Sequence, residues 1–267
     1  MKVTAVNIKN RHGRSVANPF TKKRWLMIIV GILISWATGQ VVFGQANEGI
    51  ITYETKINMH RTLPKERAEM KNMIPEFRIS QQQLFFNGDE SLYKPIEEEE
   101  DEGMEQGSGG IQMRIQQPFV EIYFNRATST RITQQEFLGK DYLIEDSLNL
   151  PPWKFGTETK KILGYNCRQA MHYNGERKQQ VVAWYAPELR PFLGPEKFNT
   201  LPGAVLEVNL NDGERVIMAK DLQVRALKKN EMKIPSHGIK TTQSDFRKLV
   251  DEHTARMRAN GADIIIR

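Results

Sequence analysis

The chain has 267 residues, 39% hydrophobic and 26% charged, a balance that fits a soluble globular body of one large or two small domains. Its net charge of +6 is confined to one end: residues 1–46 hold seven basic residues and no acidic one. Taking these seven from the 38 basic residues leaves 31 against 32 acidic ones, a net charge of −1, so the remainder lacks the basic face that a nucleic-acid partner requires.

The first element is a leader. Lys22-Lys23-Arg24 forms a positive cluster ahead of the apolar run Trp25 to Ala37, and Thr38-Gly39-Gln40 breaks that run. Small residues around Gly44 suit a signal peptidase, which places cleavage near Gly44/Gln45. The alternative is an uncleaved anchor, but Leu26 to Phe43 falls short of the roughly 20 apolar residues wanted for a bilayer span. Residues 1–46 therefore read as a signal peptide with an extended n-region. The protein is expected to be exported, periplasmic or extracellular, and to touch the membrane only through this segment. Residues 47–267 read as a single β-rich domain, with neither a repeat period nor a linker dividing them.

Gly49 to Arg61 alternates with period two, Ile51, Tyr53, Thr55, Ile57 and Met59 sharing one face, which predicts a strand. Pro64 to Met73 reads as a short helix closed by Pro75. Ser80 to Tyr93 predicts a hairpin around Asn87-Gly88-Asp89. The acidic run Glu97 to Glu102, followed by Gly107 to Gly110, predicts a solvated, mobile insertion at 97–110. An unbroken carboxylate block lacks the spacing of a calcium loop. Phe119 to Thr133 alternates again, and Arg131 to Leu138 and Lys140 to Asp146 predict two strands separated by Gly139. Gly156 to Tyr173 and Lys178 to Tyr185 predict a hairpin around Asn174-Gly175, and Ala204 to Leu210 with Glu214 to Leu227 another around Asn211-Asp212-Gly213. Phe246, Leu249, Val250, His253 and Met257 recur at helical spacing behind Ser244 as N-cap, and Ile264 to Ile266 adds a last short strand.

Between the last two hairpins runs the segment around which the chain is organised, Trp184 to Val208. Pro187, Pro191 and Pro195 exclude ladder pairing, so this is an ordered crossing. Pro202-Gly203 reads as a turn with glycine at the position needing φ > 0. The fold class that follows is mainly β: a single curved antiparallel sheet or half-barrel of the lipoprotein-carrier type, with a short N-terminal helix and a C-terminal amphipathic helix.

No catalytic motif is present. There is neither a G-x-S-x-G nor an H-E-x-x-H, and His60, His172, His237 and His253 are isolated in sequence, so no metal site and no cofactor are expected. Cys167, the one cysteine, reads as a small buried hydrophobe. Glu188 and Glu207 flank the crossing and form the one candidate acid/base pair. The protein is thus expected not to be an enzyme but a binding or carrier module of the cell envelope, taking an apolar or peptide-like ligand. Trp153, Phe155, Trp184, Tyr185, Phe192 and Phe198 are the candidate lining, or else they fill the core. The alternative is an envelope interaction protein that presents its proline-rich loop or acidic insertion to a partner.

Several pieces in order resemble the GLPGLI family of exported β-rich proteins: Gly49 to Glu54, Ser91-Leu92-Tyr93 after a Phe-Asn-Gly hairpin, Lys161 to Cys167, Ala183 to Glu188, and the signature Leu201-Pro202-Gly203. Thr200 replaces the first glycine of the family motif, and Ala204-Val205 its last Leu-Ile pair. The resemblance implies the fold and export, and brings no activity, substrate or catalytic residue.

Overall fold

Both halves of the fold are assembled on one strand, β1 (Glu48–Asn58), which pairs antiparallel with β2 (Phe77–Asn87) on one side and β11 (Arg215–Gln223) on the other. The computed structural model describes residues 47–63, 65–96 and 119–259. The leader of 1–46 with its cleavage point, the acidic insertion at 97–110 and the strand expected at Ile264 to Ile266 lie outside them.

From β2 the chain continues as a meander: β3 (Glu90–Pro95), β4 (Val120–Asn125), β5 (Thr130–Phe137) and β6 (Lys140–Ser147). The other side is a second meander, β7 (Lys154–Ile162), β8 (Tyr165–Asn174), β9 (Gln179–Ala186) and β10 (Ala204–Leu210), which reaches β1 through β11. A short β12 (Ile239–Thr242) joins the outer edge of β6 in parallel. The sheet has 12 strands in the order β12-β6-β5-β4-β3-β2-β1-β11-β10-β9-β8-β7.

This corrects the expected fold class. The sheet is open, neither closed into a barrel nor strongly curled, and the pairing of β12 with β6 makes it mixed. The physical reason lies in how its faces are covered. One face carries Ile51, Tyr53, Leu84, Phe86 and Tyr93, and Leu189, Leu193, Phe198 and Leu201 of the β9–β10 crossing pack on it. The opposite face carries Ile50, Phe85, Leu92 and Tyr123, against which Leu227 and Met232 of the β11–β12 connection lie. With segments of its own chain serving as covers, the sheet need not roll up to bury its apolar surface.

Local signals explain the boundaries. Asn58 ends β1 by capping the single turn α1 (Met59–Thr62), accepting from Arg61 N at 3.1 Å, so the strand stops short of Arg61. The segment expected as a short helix is a 3-10 helix, Lys65–Asn72. Asn211, Asp212 and Gly213 all take positive φ in the β10–β11 turn, where Arg61 donates to the carbonyls of Asn211 and Asp212 at 2.8 and 2.6 Å. A turn breaks a segment expected to be continuous after Asn125, whose side chain accepts from Thr128 N at 3.1 Å, and another turn lies at Leu163-Gly164. Helix α2 (Gln243–Ala259) is capped by Thr242, not Ser244. The Thr242 hydroxyl accepts from Asp245 N at 3.2 Å and donates to Asp245 Oδ2 at 2.8 Å. Phe246 anchors the helix between Phe137 and Tyr142, with ring centroids at 5.7 and 5.2 Å.

Of the signature residues, Leu201 is buried in the core, Pro202 is exposed, and Gly203 is buried without a positive φ. Gly203 is required for room, not for turn conformation: a Cβ there would lie 2.3 Å from Ala186 O. Gly203→Ala is expected to cost roughly 1–3 kcal/mol, because the contact is with backbone at the strand end and cannot be relieved by a side-chain rotation. Urea unfolding of the two proteins measures it, and an unchanged midpoint would show that the crossing yields freely.

Candidate functional site

Trp184 and Tyr185 are neighbours in β9, so their side chains leave the sheet on opposite faces. Tyr185 joins the covered core, and Phe155 rests on it at 6.1 Å while remaining largely exposed itself. Phe198 and Phe192 belong to the crossing, the first buried against the sheet and the second partly exposed at φ 60°. Trp153 is half-buried, donating Nε1–H to Thr200 Oγ1 at 2.8 Å and meeting His172 at 5.8 Å. The candidate aromatics are therefore divided between two faces and do not line one cavity.

Trp184 is 9% exposed and counts in the buried apolar cluster, but the groups that gather on its outer side are polar. Lys160, Gln180, Val182, Trp184, Glu207, Asn209 and Asp212 line a groove of about 470 Å³ on the face opposite Tyr185. Glu207 is only 6% exposed, and Lys160 Nζ reaches its Oε2 at 2.6 Å. The same ammonium lies 4.5 Å from the centre of the Trp184 ring.

A bulge produces this arrangement. Val205 pairs with Tyr185, but after a register shift Glu207 pairs with Trp184. Without the extra residue, Leu206, the carboxylate of Glu207 would face the apolar core; with it, Glu207 turns toward Trp184 and Lys160. Of the two candidate carboxylates, Glu188 is exposed and accepts from Asn166 Nδ2 at 3.5 Å, while Glu207 is engaged by Lys160. Sequence reasoning noted Glu207 for its place beside the crossing and missed Lys160, Gln180, Asn209 and Asp212. The available signal was one acid inside the otherwise apolar strand start Ala204 to Val208.

Cys167 lies beside this site in β8, opposite Lys160 of β7, and is fully buried. Burial pushes its thiol up to about 11, Glu207 and Glu188 add to the rise, and Lys160 opposes it. The sulfur is thus a protonated hydrophobe near neutral pH, not a nucleophile.

A larger groove, about 1220 Å³, runs between the β4–β5 turn, the end of β6 and the first turns of α2. Its walls are exposed turn and helix residues, and its Arg247 is engaged by Glu176 at 2.7 Å, so it holds no buried functional group comparable to Glu207. Among the described residues, no group of three or more His, Cys, Asp or Glu could hold a metal ion, and no helix is long and apolar enough to cross a membrane.

An open, largely antiparallel sheet with a charged groove on one face is the class of structure that these observations define. No protein-family model matches the chain, and no curated protein does. Among solved structures it is similar to PNGF-II in a P21 crystal form, with a TM-score of 0.52, 16% identity, and coverage of 77% of this chain. A C2 form of PNGF-II gives a TM-score of 0.52 and 17% identity over 77% of this chain. The chain spans about a third of PNGF-II, 34% and 33% in the two forms, and at this identity the likeness is one of fold. The GLPGLI assignment is corrected accordingly: the solved structures to which the chain is similar include PNGF-II, and the family pieces read from sequence bring no matching family. The secreted and periplasmic labels attached to that reading find no support in these likenesses.

The raised thiol pKa carries a stability signature. Because the folded thiol holds its proton more tightly than the unfolded one, its contribution is complete below about pH 9 and is lost as pH rises toward about 11. Cys167→Ala is expected to remove that part of the alkaline slope. In the native protein at pH 8, Cys167 is expected to resist alkylation by iodoacetamide and to react fast in urea; rapid native labelling would contradict the buried placement.

Proposed function

We propose that the protein is a non-catalytic binding module that takes a polar, peptide-like ligand in the groove of Lys160, Gln180, Trp184, Glu207 and Asn209. The observation that carries this reading is the Glu207 carboxylate, 6% exposed in a strand whose preceding residues are apolar and held by one ammonium. The fold has no use for a charge there. Val or Ile would pack on a sheet face without the several kcal/mol that withdrawing a carboxylate from water costs. A ligand that brings an ammonium or amide donors could displace Lys160 from Glu207, and the released lysine could then meet a ligand carboxylate or carbonyl. The side-chain amides of Gln180 and Asn209 supply donors and acceptors for a peptide backbone, and Trp184 supplies a flat apolar floor.

Neutralisation of Glu207 by Lys160 and the protonated thiol of Cys167 both favour binding over chemistry. Export, with cleavage near Gly44/Gln45, belongs to the same proposal and rests on the leader residues alone. The reading in which the proline-rich loop is presented to a partner has less behind it, because Leu189, Leu193, Phe198 and Leu201 of that loop are spent on the core.

The test is selection of peptides from a random displayed library on the purified full chain, followed by fluorescence anisotropy of the labelled winners. Glu207→Gln, close in shape, is expected to weaken binding at least roughly tenfold by removing a charge-assisted hydrogen bond. Trp184→Ala is expected to abolish it. Failure to enrich any peptide, or winners that bind Glu207→Gln as tightly as the native chain, would sink the proposal.

A further inference from the structure

A second cluster of charge lies on the other face of the sheet, beyond the point where its apolar core ends. That core closes with a polar layer: Thr55 Oγ1 donates to Gln82 Oε1 at 2.8 Å, and Tyr93 OH donates to the same oxygen at 3.3 Å. Past this layer the strands place arginines on the same face. Arg78 and Arg215 are both opposite Ile57 across β1, two residues beyond Thr55. Arg131 stands on the same face but on the other side of that layer, in the row of Phe86, Ser91 and Phe124 across β2, β3 and β4, and comes to the group through its contact with the crossing.

The crossing between β9 and β10 brings two more charged residues to this place. Glu196 engages Arg215 through both carboxylate oxygens, and Lys197 follows it with its ammonium 5.7 Å from the Phe198 ring. Asn199 accepts from Arg131 Nη2 at 3.2 Å, tying β5 to the crossing. Arg177, in the β8–β9 turn, completes the group. Its charge acts on Lys197, as do those of Arg131 and Arg215.

The balance of charge here is uneven. Arg78, Arg131, Arg177, Lys197 and Arg215 are five cations; among the described residues, the carboxylates whose charge acts on Arg131, Lys197 and Arg215 are Glu196, already engaged by Arg215, and Asp146 beside Arg131. Loss of solvation, aided by the neighbouring cations, lowers the proton affinity of Lys197, and loss of solvation with Arg215 does the same for Arg78. The Nε–H groups of Arg78, Arg131 and Arg215 are buried without an acceptor among the described residues. Arg78, Arg131 and Arg215 are half-buried while Lys197 and Arg177 reach the surface, and cations gathered at such a place with few carboxylates repel one another unless something anionic completes them.

We propose that this cluster is an oxyanion-binding site, separate from the Glu207 groove, in which Arg131, Arg177 and Lys197 hold the phosphate, sulfate or carboxylate group of a ligand and Arg78 and Arg215 supply supporting charge. Guanidinium forks suit a tetrahedral or planar oxyanion, and the fixed position of Lys197 on an ordered crossing sets one side of the site. The site joins β5, the β8–β9 turn and the crossing, so an anion bound there clamps the two meanders together.

The experiment is thermal unfolding of the full chain at constant ionic strength, with sodium phosphate replacing sodium chloride. The native chain is expected to gain melting temperature with phosphate, and the double variant Arg177→Gln/Lys197→Gln to lose that gain, with apparent phosphate affinity down at least roughly tenfold. In chloride the same variant is expected to melt no lower than the native chain, since it relieves repulsion between like charges. Equal melting temperatures in phosphate and chloride, or a phosphate gain that survives in the variant, would overturn the proposal. So would a gain that emerges only after residues 97–110 are deleted, because the site would then belong to the chain's own acidic run.

Discussion

The hydrogen bond from the Tyr53 hydroxyl to the carbonyl of Val205, 2.6 Å long and fully buried, is the contact on which the rest of the arrangement depends. It joins the central strand to the bulge in β10. Val205 donates its own N–H to Leu193 O at 2.8 Å, outside the strand ladder, so both backbone groups of this residue are satisfied by partners that the bulge makes reachable. An unsatisfied carbonyl there would cost about 1–3 kcal/mol. Burial, with Tyr93 nearby, drives the Tyr53 phenol well above its ordinary ionisation range, which favours the protonated, donating form. Because the bulge is held, Glu207 faces Trp184 and not the core. A core contact thus sets the direction of a functional side chain on the opposite face.

The two faces of the sheet are used differently. Where the β9–β10 crossing covers one face, apolar residues give way through Thr55, Gln82 and Tyr93 to arginine and lysine. Where the β11–β12 connection covers the other, the Leu227 N–H donates to Glu48 Oε1 at 2.7 Å, and Arg225 closes on Glu231 at 2.6 Å. The uncovered part of that second face holds the groove. Neither charged region interrupts the apolar layer, and this lets a sheet of 12 strands carry charge on both sides without a break in its core.

Much of the strand content was legible because the tight turns announce themselves. Asn87-Gly88 and Asn211-Asp212-Gly213 combine residues that tolerate positive φ with flanking alternation, and both mark hairpins in the structure. One turn escaped for a physical reason: the turn after Asn125 uses Ser129 at φ 55° with no glycine. Gly164 at φ 85°, by contrast, reads as a turn feeding the strand that carries Cys167. Strand order was not legible: period-two alternation tells which residues share a face, never which strand lies beside which, and an open sheet and a half-barrel share that pattern. The groove was half legible. Trp184 and Glu207 drew notice, but they meet only because of a bulge at Leu206, which no local residue preference marks, and Lys160 is one lysine among several in its strand.

The place of β1 in the sheet has a consequence for the order in which the molecule can assemble. Its pairing with β2 needs only a local loop, so β1 to β6 can form before the remainder of the chain has joined them. Its pairing with β11 joins Ile57 to Arg215, a contact of large sequence separation, and is expected to form later. Until then one edge of β1, with the buried residues Ile51 and Tyr53, stands open. The second meander carries its own cover, the crossing between β9 and β10, and closes that edge in a single late docking event. Conditions that slow docking therefore expose one defined strand edge rather than the sheet at large.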